Sequence, residues 1–462
     1  MDETSNYYSL FNDEIEGRLD FKFNHPNYHE LFEKLKTIET KHLYDILLEP
    51  IIKGVQPQYD EDENVMVIKT VDMKNRFIDY ENTLKTSNEF YKSNPTGHLK
   101  LNDIIIASIG VGSVGKIDIY DISDPAIFDG INLNVLRIDT EQYDPYFLMY
   151  FLRSLYGQEQ IDKVIAGSTG MIYISPDYIN NLIIPDLKKP LQEEIVKKIR
   201  PLESQAFRLE NEVNVIINKA LEVFLKELQI KSPIITEKVE YYTKFVVGLN
   251  RLDFEFNNPK YEIIDRLISE SDVEFVELLD VVDFLRDSRN PMKTPNEEFI
   301  YLDISSIDTR WGVTNPTIMK GMDAESSRIR RVMYGGNVLV STTRPNRNAI
   351  TIVPDELNNQ ICSTGLSVLK CKQDMNNRFL FYALRSKLSN LQFERYCSGS
   401  GYPAINQEID LPKIRVPKPS PDKQLEIVEI VDNILKEAVE KERETIMIWK
   451  EVKDKFESLI FS

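Results

Sequence analysis

Cysteine and histidine are scarce in this chain, at three and four among 462 residues. Cys362, Cys371 and Cys397 lie far apart, all in the second half. That spacing gives neither a disulfide framework nor a zinc ligand set, and a reducing cytoplasm is the simplest compartment. Of His25, His29, His42 and His98, the first two stand four apart, but Pro26 spoils helical geometry between them. No metal site is expected. No apolar run reaches the roughly 18 residues of a membrane span, so no membrane association is expected. Residues 1–17 lack the basic start and apolar run of a signal peptide. Basic charge is also in deficit: 56 Lys and Arg against 74 Asp and Glu leave a net charge of -18. Such a chain does not hold nucleic acid by bulk charge.

Catalytic signatures are missing too. Gly110-Val111-Gly112-Ser113-Val114-Gly115-Lys116-Ile117 nearly spells a phosphate-binding loop, but Ile117 stands where Ser or Thr would ligate magnesium. The following Lys116–Tyr120 stretch alternates like a strand, whereas a P-loop opens a helix. A glycine-rich hairpin is the better reading, with backbone N–H groups available for phosphates. No G-x-S-x-G elbow occurs. Asp144-Pro145-Tyr146-Phe147 lacks the second proline of an amino-methyltransferase motif, and Pro185-Asp186 lacks the spaced acid and lysine of a nuclease core. The chain is expected to be non-catalytic.

What the sequence does have is a repeat. Tyr7-Tyr8-Ser9-Leu10-Phe11 precedes Arg18-Leu19-Asp20-Phe21-Lys22-Phe23-Asn24-His25-Pro26-Asn27-Tyr28, and Tyr241-Tyr242-Thr243-Lys244-Phe245 precedes Arg251-Leu252-Asp253-Phe254-Glu255-Phe256-Asn257-Asn258-Pro259-Lys260-Tyr261. Eight of the eleven positions from Arg18 recur at an offset of 233 residues, half the chain. Length alone suggests about three domains; the repeat replaces that with two large similar units and a target that itself comes in two parts.

Both halves run in the same order. A short helical stretch (28–38, 261–268) leads into a β-rich body with strand candidates at 65–71, 103–109, 116–120 and 133–138, then 299–304, 337–342, 349–353 and 366–371. These runs are rich in Ile, Val and aromatics and bounded by turn residues. Helices at 145–154 and 377–386 share the cadence Tyr-Phe-Leu-Arg-Ser and Tyr-Ala-Leu-Arg-Ser. A long helix closes each half. In the first, Ile195, Ile199, Leu202, Ala206, Leu209, Val213, Ile216, Ala220 and Val223 alternate spacings of four and three. In the second, Val428, Val431, Leu435, Ala438, Trp449, Val452, Phe456 and Leu459 keep the register, broken at Glu442 and Thr445. This is a heptad seam, best buried by pairing the two helices. Pro201 should kink the first helix or mark its effective start. The organisation expected is α+β: a body over 1–188, a helix over 189–230, a body over 231–420 and a helix over 421–462, the helices forming an antiparallel coiled coil.

Charge is unevenly placed. From Ser326 to Pro354 there are five arginines and no acid. Within that stretch, residues 341–348 carry Arg344, Asn346 and Arg347 between two strands, with Arg328 and Arg330 upstream. Arg reads guanine and Asn reads adenine bidentately, while Arg and hydroxyls also hold phosphates. A second candidate loop, 167–171 with Ser168 and Thr169, is matched by 399–402 with Ser400 and Tyr402; small residues let a backbone approach a groove. Ser113 and Lys116 complete the DNA-contact candidates. Plain surface turns remain the alternative for each loop.

The chain resembles the specificity (S) subunit family of type I restriction-modification systems. Leu101-Asn102-Asp103-Ile104-Ile105 with residues 110–116, and Tyr334-Gly335-Gly336-Asn337-Val338-Leu339 with Thr343-Arg344-Pro345, resemble the family's strand-then-loop pattern. Ile174 and Ile405 follow the Gly/Ser loops, and Pro185, Gln192 and Ile195 are matched at identical spacing by Pro417, Gln424 and Ile427. The resemblance implies a non-enzymatic reader of double-stranded DNA, each body reading half of a bipartite site and the helices fixing the gap. It implies two methyltransferase (M) partners supplying S-adenosylmethionine chemistry, room for an ATP- and magnesium-dependent restriction (R) subunit, and no cofactor in this chain. The Arg-Leu-Asp-Phe openings suggest a subgroup serving a methylation-linked phage defence system. Divergence of 55–94 from 291–331 fits two different half-sites. A coiled-coil interaction scaffold and a nucleotide-binding enzyme are the rival readings.

Overall fold

The computed structural model describes residues 32–462 except 61–62, 75, 111, 166–171, 235–250, 252, 254 and 400–402. Most of the repeated openings, and the candidates Ser168, Thr169, Ser400 and Tyr402, lie outside the described residues. The chain forms two compact units, Met1–Phe207 with Ile446–Ser462, and Arg208–Thr445.

The first unit holds β1 (Thr40–His42), β2 (Ile52–Lys53), β3 (Val65–Ile68), β4 (Leu84–Thr86), β5 (Ile104–Ala107), β6 (Ile117–Ile119), β7 (Ala126–Phe128), β8 (Leu133–Leu136) and β9 (Ile183–Pro185). β2-β8-β5-β6 make one sheet and β4-β3-β7 a second, while β1 pairs with β9. The continuous apolar runs Val65-Met66-Val67-Ile68 and Ile104-Ile105-Ile106-Ala107 are buried throughout, as strands covered on both faces must be. Ile68, Ile105, Phe128 and Val135 join the sheets in one core. Against them lie α1 (Pro145–Arg153) and α2 (Leu155–Val164), started by Asp144 and Ser154 as N-caps.

The second unit repeats this plan. It holds β10 (Phe275–Glu277), β11 (Val282–Leu285), β12 (Glu298–Leu302), β13 (Thr317–Lys320), β14 (Ile329–Met333), β15 (Val338–Ser341), β16 (Ile350–Ile352), β17 (Gln360–Ser363), β18 (Leu366–Cys371) and β19 (Arg415–Pro417). β11-β18-β15-β16 reproduce β2-β8-β5-β6, β13-β12-β17 reproduce β4-β3-β7, and β10 pairs with β19 as β1 does with β9. Even the parallel pair recurs, β3 with β7 and β12 with β17. β14, which carries Arg330 and Arg331, extends the second sheet.

The long helices are α3 (Lys189–Glu227) and α6 (Pro421–Ile460). The second body also contributes α4 (Asn377–Arg385) and α5 (Lys387–Tyr396). α3 begins before Pro201 and runs through it, so Pro201 is not its start; its missing N–H takes one bond out of the helix ladder. In the second unit Leu209, Val213, Ala220, Val431 and Ala438 are buried, with Ile216 and Leu435 half-buried beside Ile217. Lys441 lies 2.6 Å from Glu212, and Lys423 lies 3.9 Å from Glu227. Numbers rising on one helix meet falling numbers on the other, so the pairing is antiparallel. In the first unit Leu202 is half-buried, Val452 and Phe456 are buried, and Phe207 meets Trp449 edge-on at 5.1 Å. At the break in the heptads, Thr445 is buried, its hydroxyl donating to the Lys441 carbonyl at 2.8 Å. Among the described residues no helix is long and apolar enough to cross a membrane.

Buried glutamines explain the repeated spacing around Pro185 and Pro417. Gln192 accepts from the Asp144 N–H at 2.7 Å and donates to the Leu187 carbonyl at 2.6 Å. Gln424 accepts from Asn376 N–H at 2.8 Å and donates to the Asp374 and Pro419 carbonyls at 2.9 and 3.0 Å. Each ties the start of a long helix to the N-cap of α1 or α4. A second pair, Gln160 and Gln392, clasps Ile183 and Arg415 at the start of β9 and β19.

Candidate nucleic-acid interface

In the second body β15 and β16 form an antiparallel hairpin, and residues 343–348 join them. Arg344 (φ 49°) and Asn348 (φ 61°) both adopt left-handed backbone on either side of the short turn Pro345–Arg347. Side chains disfavour that region by roughly 1–2 kcal/mol, so the surroundings must hold it. They do: the Arg344 N–H donates to the Pro403 carbonyl at 2.7 Å, Ile405 N–H to Thr342 at 2.9 Å, and the Asn348 carbonyl accepts from Arg385 at 3.2 Å. The arginine loop is thereby bonded to residues 403–405, directly after the second candidate loop, whose ends Ser398 and Ala404 bond to each other.

Arg328 joins the same edge. Its carbonyl accepts from Thr364 N–H at 2.9 Å, Gly365 accepts from Thr342, and Gln407 donates to both the Thr364 carbonyl and the Thr342 hydroxyl. Arg328, Arg330 and Arg347 are exposed; Arg344 and Asn346 are half-buried, and Asn346 lies 3.4 Å from Glu394. Arg331 turns inward to the Leu285 carbonyl, and burial lowers its pKa.

The first body builds the counterpart. Residues 110–116 join β5 to β6, Gly110 N–H donates to the Ile172 carbonyl at 3.0 Å, and Ile174 N–H to Ser108 at 2.9 Å. Gly110 thus occupies the place of Arg344, 234 residues on, with φ 110°. Strand β6 follows the loop, so no helix N-terminus is there to cradle a nucleotide phosphate. A Cβ on Gly112 would meet nothing within 4 Å, leaving open approach to that backbone. Ser113 is half-buried. Lys116 donates to the Met73 carbonyl at 3.1 Å, and burial, with Lys74 nearby, pulls its pKa down.

Two residues escaped the sequence reading as parts of this edge, although the shared cadence contained them. Arg153 donates to the Ile117 carbonyl at 2.8 Å, and its guanidinium lies 2.8 Å from Asp118. Burial pushes the Asp118 carboxyl up to about 6, with Arg153 pulling it back. Arg385 bonds Asn348, Thr309 and Arg310 carbonyls, and burial brings its pKa down to about 10. Each arginine fixes the base of its hairpin from the helix behind it.

Residues 270–447 match the family model described as type I restriction modification DNA specificity domain. The match covers well under half of the chain and lies within its second half. The matched segment contains the arginine loop, Arg328 and the first part of α6. Over 369 residues the chain is 25% identical to a curated Methanocaldococcus jannaschii protein named "Putative type I restriction enzyme MjaX specificity subunit", covering 76% of this chain and 77% of that protein. Solved structures with a similar chain course include the type I restriction-modification S subunit from M. genitalium (14% identity, TM-score 0.38, 91% of this chain and 95% of that one). The HsdS subunit from Thermoanaerobacter tengcongensis is another (14%, TM-score 0.31, 92% and 96%).

Proposed function

We propose that this chain is the DNA sequence-specificity subunit of a type I restriction-modification complex or a related methylation-linked defence complex. Each body reads one half of a bipartite site through its hairpin loop and the segment bonded to it, and the paired helices set the gap. The observation that carries this reading is one edge built twice, in a chain whose residues 270–447 match a DNA specificity domain. In the second body Arg344 and Arg347 contact bases while Arg328 and Arg330 hold phosphate. In the first body the open glycine loop brings backbone close to the groove. Catalysis belongs to partners: two methyltransferase subunits with S-adenosylmethionine, and a restriction subunit where one is present. The family match favours this reading over a coiled-coil scaffold that does not touch DNA.

A base-resolution methylome of the native host, with and without the gene, tests it. The expected result is a bipartite adenine-methylated motif that disappears on deletion. An unchanged methylome, together with no sequence-selective DNA binding by the complex isolated through this chain, would refute the reading.

A further inference from the structure

The duplication extends to a feature outside the candidate reading loops. Arg76-Phe77 and Arg310-Trp311 stand 234 residues apart, each in the turn after the parallel-paired strand, β3 or β12. A backbone bridge closes each turn, Met73 with Ile78 and Ile307 with Thr314. In both units this dipeptide leaves the body and meets the long helices. In the first, the Arg76 guanidinium lies 4.0 Å over the Trp449 ring, and Phe77 meets Phe207 edge-on at 6.0 Å. Burial pushes the Glu203 carboxyl of α3 up, and Arg76 is among the charges that pull it back. In the second, Arg310 pairs with Glu442 at 2.8 Å and reaches Glu210 at 3.9 Å, while Trp311 packs on Val213, Ile217 and Ala438.

We propose that these two arginine–aromatic dipeptides are clamps that fix the orientation of each recognition body on the helices, and so set how strictly the gap between half-sites is measured. Three observations bear this out. The second clamp is itself held rigid: Asp308 accepts from the Arg310 and Trp311 N–H groups at 2.7 and 3.0 Å. Gly312 follows at φ 69°, where a Cβ would lie 2.6 Å from the Ile350 carbonyl. The clamps also connect to the readers: Arg385 bonds the Arg310 carbonyl with one nitrogen and the Asn348 carbonyl, at the base of the arginine loop, with another. In the first unit the link is indirect: Arg153 joins Ile117, at the base of its hairpin, to Glu203 on α3 at 3.5 Å, the carboxylate whose charge Arg76 also stabilises. Finally, Glu442 breaks the heptad pattern, and its partner is Arg310. Partly buried ion pairs add little net stability but impose a direction, which orientation requires. For a bivalent reader, the second half-site is engaged only when geometry allows.

This inference rests on the DNA-reading function, and its test separates the two. The complex is isolated through the full-length chain, and duplexes with the native gap, or one base pair more or less, are titrated. Wild type should prefer the native gap on the order of a hundredfold. With Arg310→Ala and Trp311→Ala combined, or Arg76→Ala and Phe77→Ala, the preference should fall to on the order of tenfold, while the penalty for a changed base in either half-site stays the same. Should the double variants not fold, Arg310→Gln keeps side-chain bulk, removes the charge and should show the same loss, with Arg310→Lys restoring most of it. Wild-type gap preference in every variant overturns the proposal. So does joint loss of gap and base preference, which would make the dipeptides supports of the reading loops. A wild-type complex with no bipartite motif overturns the reading function and the clamps with it.

Discussion

Arg344 combines three properties seldom found together: a left-handed backbone, a half-buried stem, and a place in an acid-free run of five arginines. Strain of this kind persists where surroundings over-determine it, and it clusters at ligand clamps. Arg344→Ala should therefore cost about 1–3 kcal/mol of discrimination at one position of one half-site, leaving the other half-site's preference intact in competition binding. A uniform loss over all sequences would make Arg344 a phosphate anchor instead. Asp118 offers a different residue-scale test. Its folded-state pKa of about 6 lies above the ordinary 3.8, so between those values the folded chain binds more protons than the unfolded one. Stability from this group is full below about pH 4 and is lost as pH rises through about 6. Comparing denaturation of wild type and Asp118→Asn, the difference should shift toward wild type by up to about 3 kcal/mol from pH 7 to pH 4. A pH-independent difference would mean that Arg153 fully offsets the burial.

At the scale of elements, the glutamine clasps carry more than their sequence signal suggested. Gln192 and Gln424 are fully buried, each using its carbonyl oxygen and amide at once. Alanine at either position leaves a buried N–H and at least one carbonyl unpaired, costing about 1–3 kcal/mol per group. Urea denaturation should show that loss for both variants; an effect below about 0.5 kcal/mol, the scatter of ordinary surface changes, would show that water replaces the clasp. The same elements show what was legible from sequence. Each of the eight strand segments expected contains a strand, because continuous Ile and Val runs are short and turn-bounded; so do the helices after Asp144 and Asn376, whose caps are local. The other eleven strands of the described residues, β7, β14 and β17 among them, were not anticipated. Ala126–Phe128 is too short to show a period, and Arg330-Arg331 interrupts β14 with charge. The seam was visible as heptads, but the exchange of Ile216 for Ile217 at its buried centre was not; a straight helix drifts from a strict seven-residue repeat. The adjacency of the two loops in each body depends on single backbone bonds across about 60 residues, such as Arg344 to Pro403, and no local pattern announces those.

For the whole molecule, the charge balance and the proposed ligand pull in opposite directions. A net charge of -18 repels DNA at long range, yet the arginine edge of the second body exposes Arg328, Arg330 and Arg347. Local geometry then has to supply what the overall field withholds, and partner subunits have to supply the rest. This gives a quantitative expectation. Each neutralised phosphate contributes about -0.9 to the slope of log affinity against log salt, so with Arg328 and Arg330 on phosphate the chain alone should bind DNA with a slope of about -2 from that edge. The complex with its partners should be markedly steeper, by an amount that counts the phosphates the partners hold. Titrating one duplex over a range of salt concentrations, with the chain and then with the complex, measures both. Equal slopes would locate the whole phosphate grip in this acidic chain and require basic surface beyond the arginine edge.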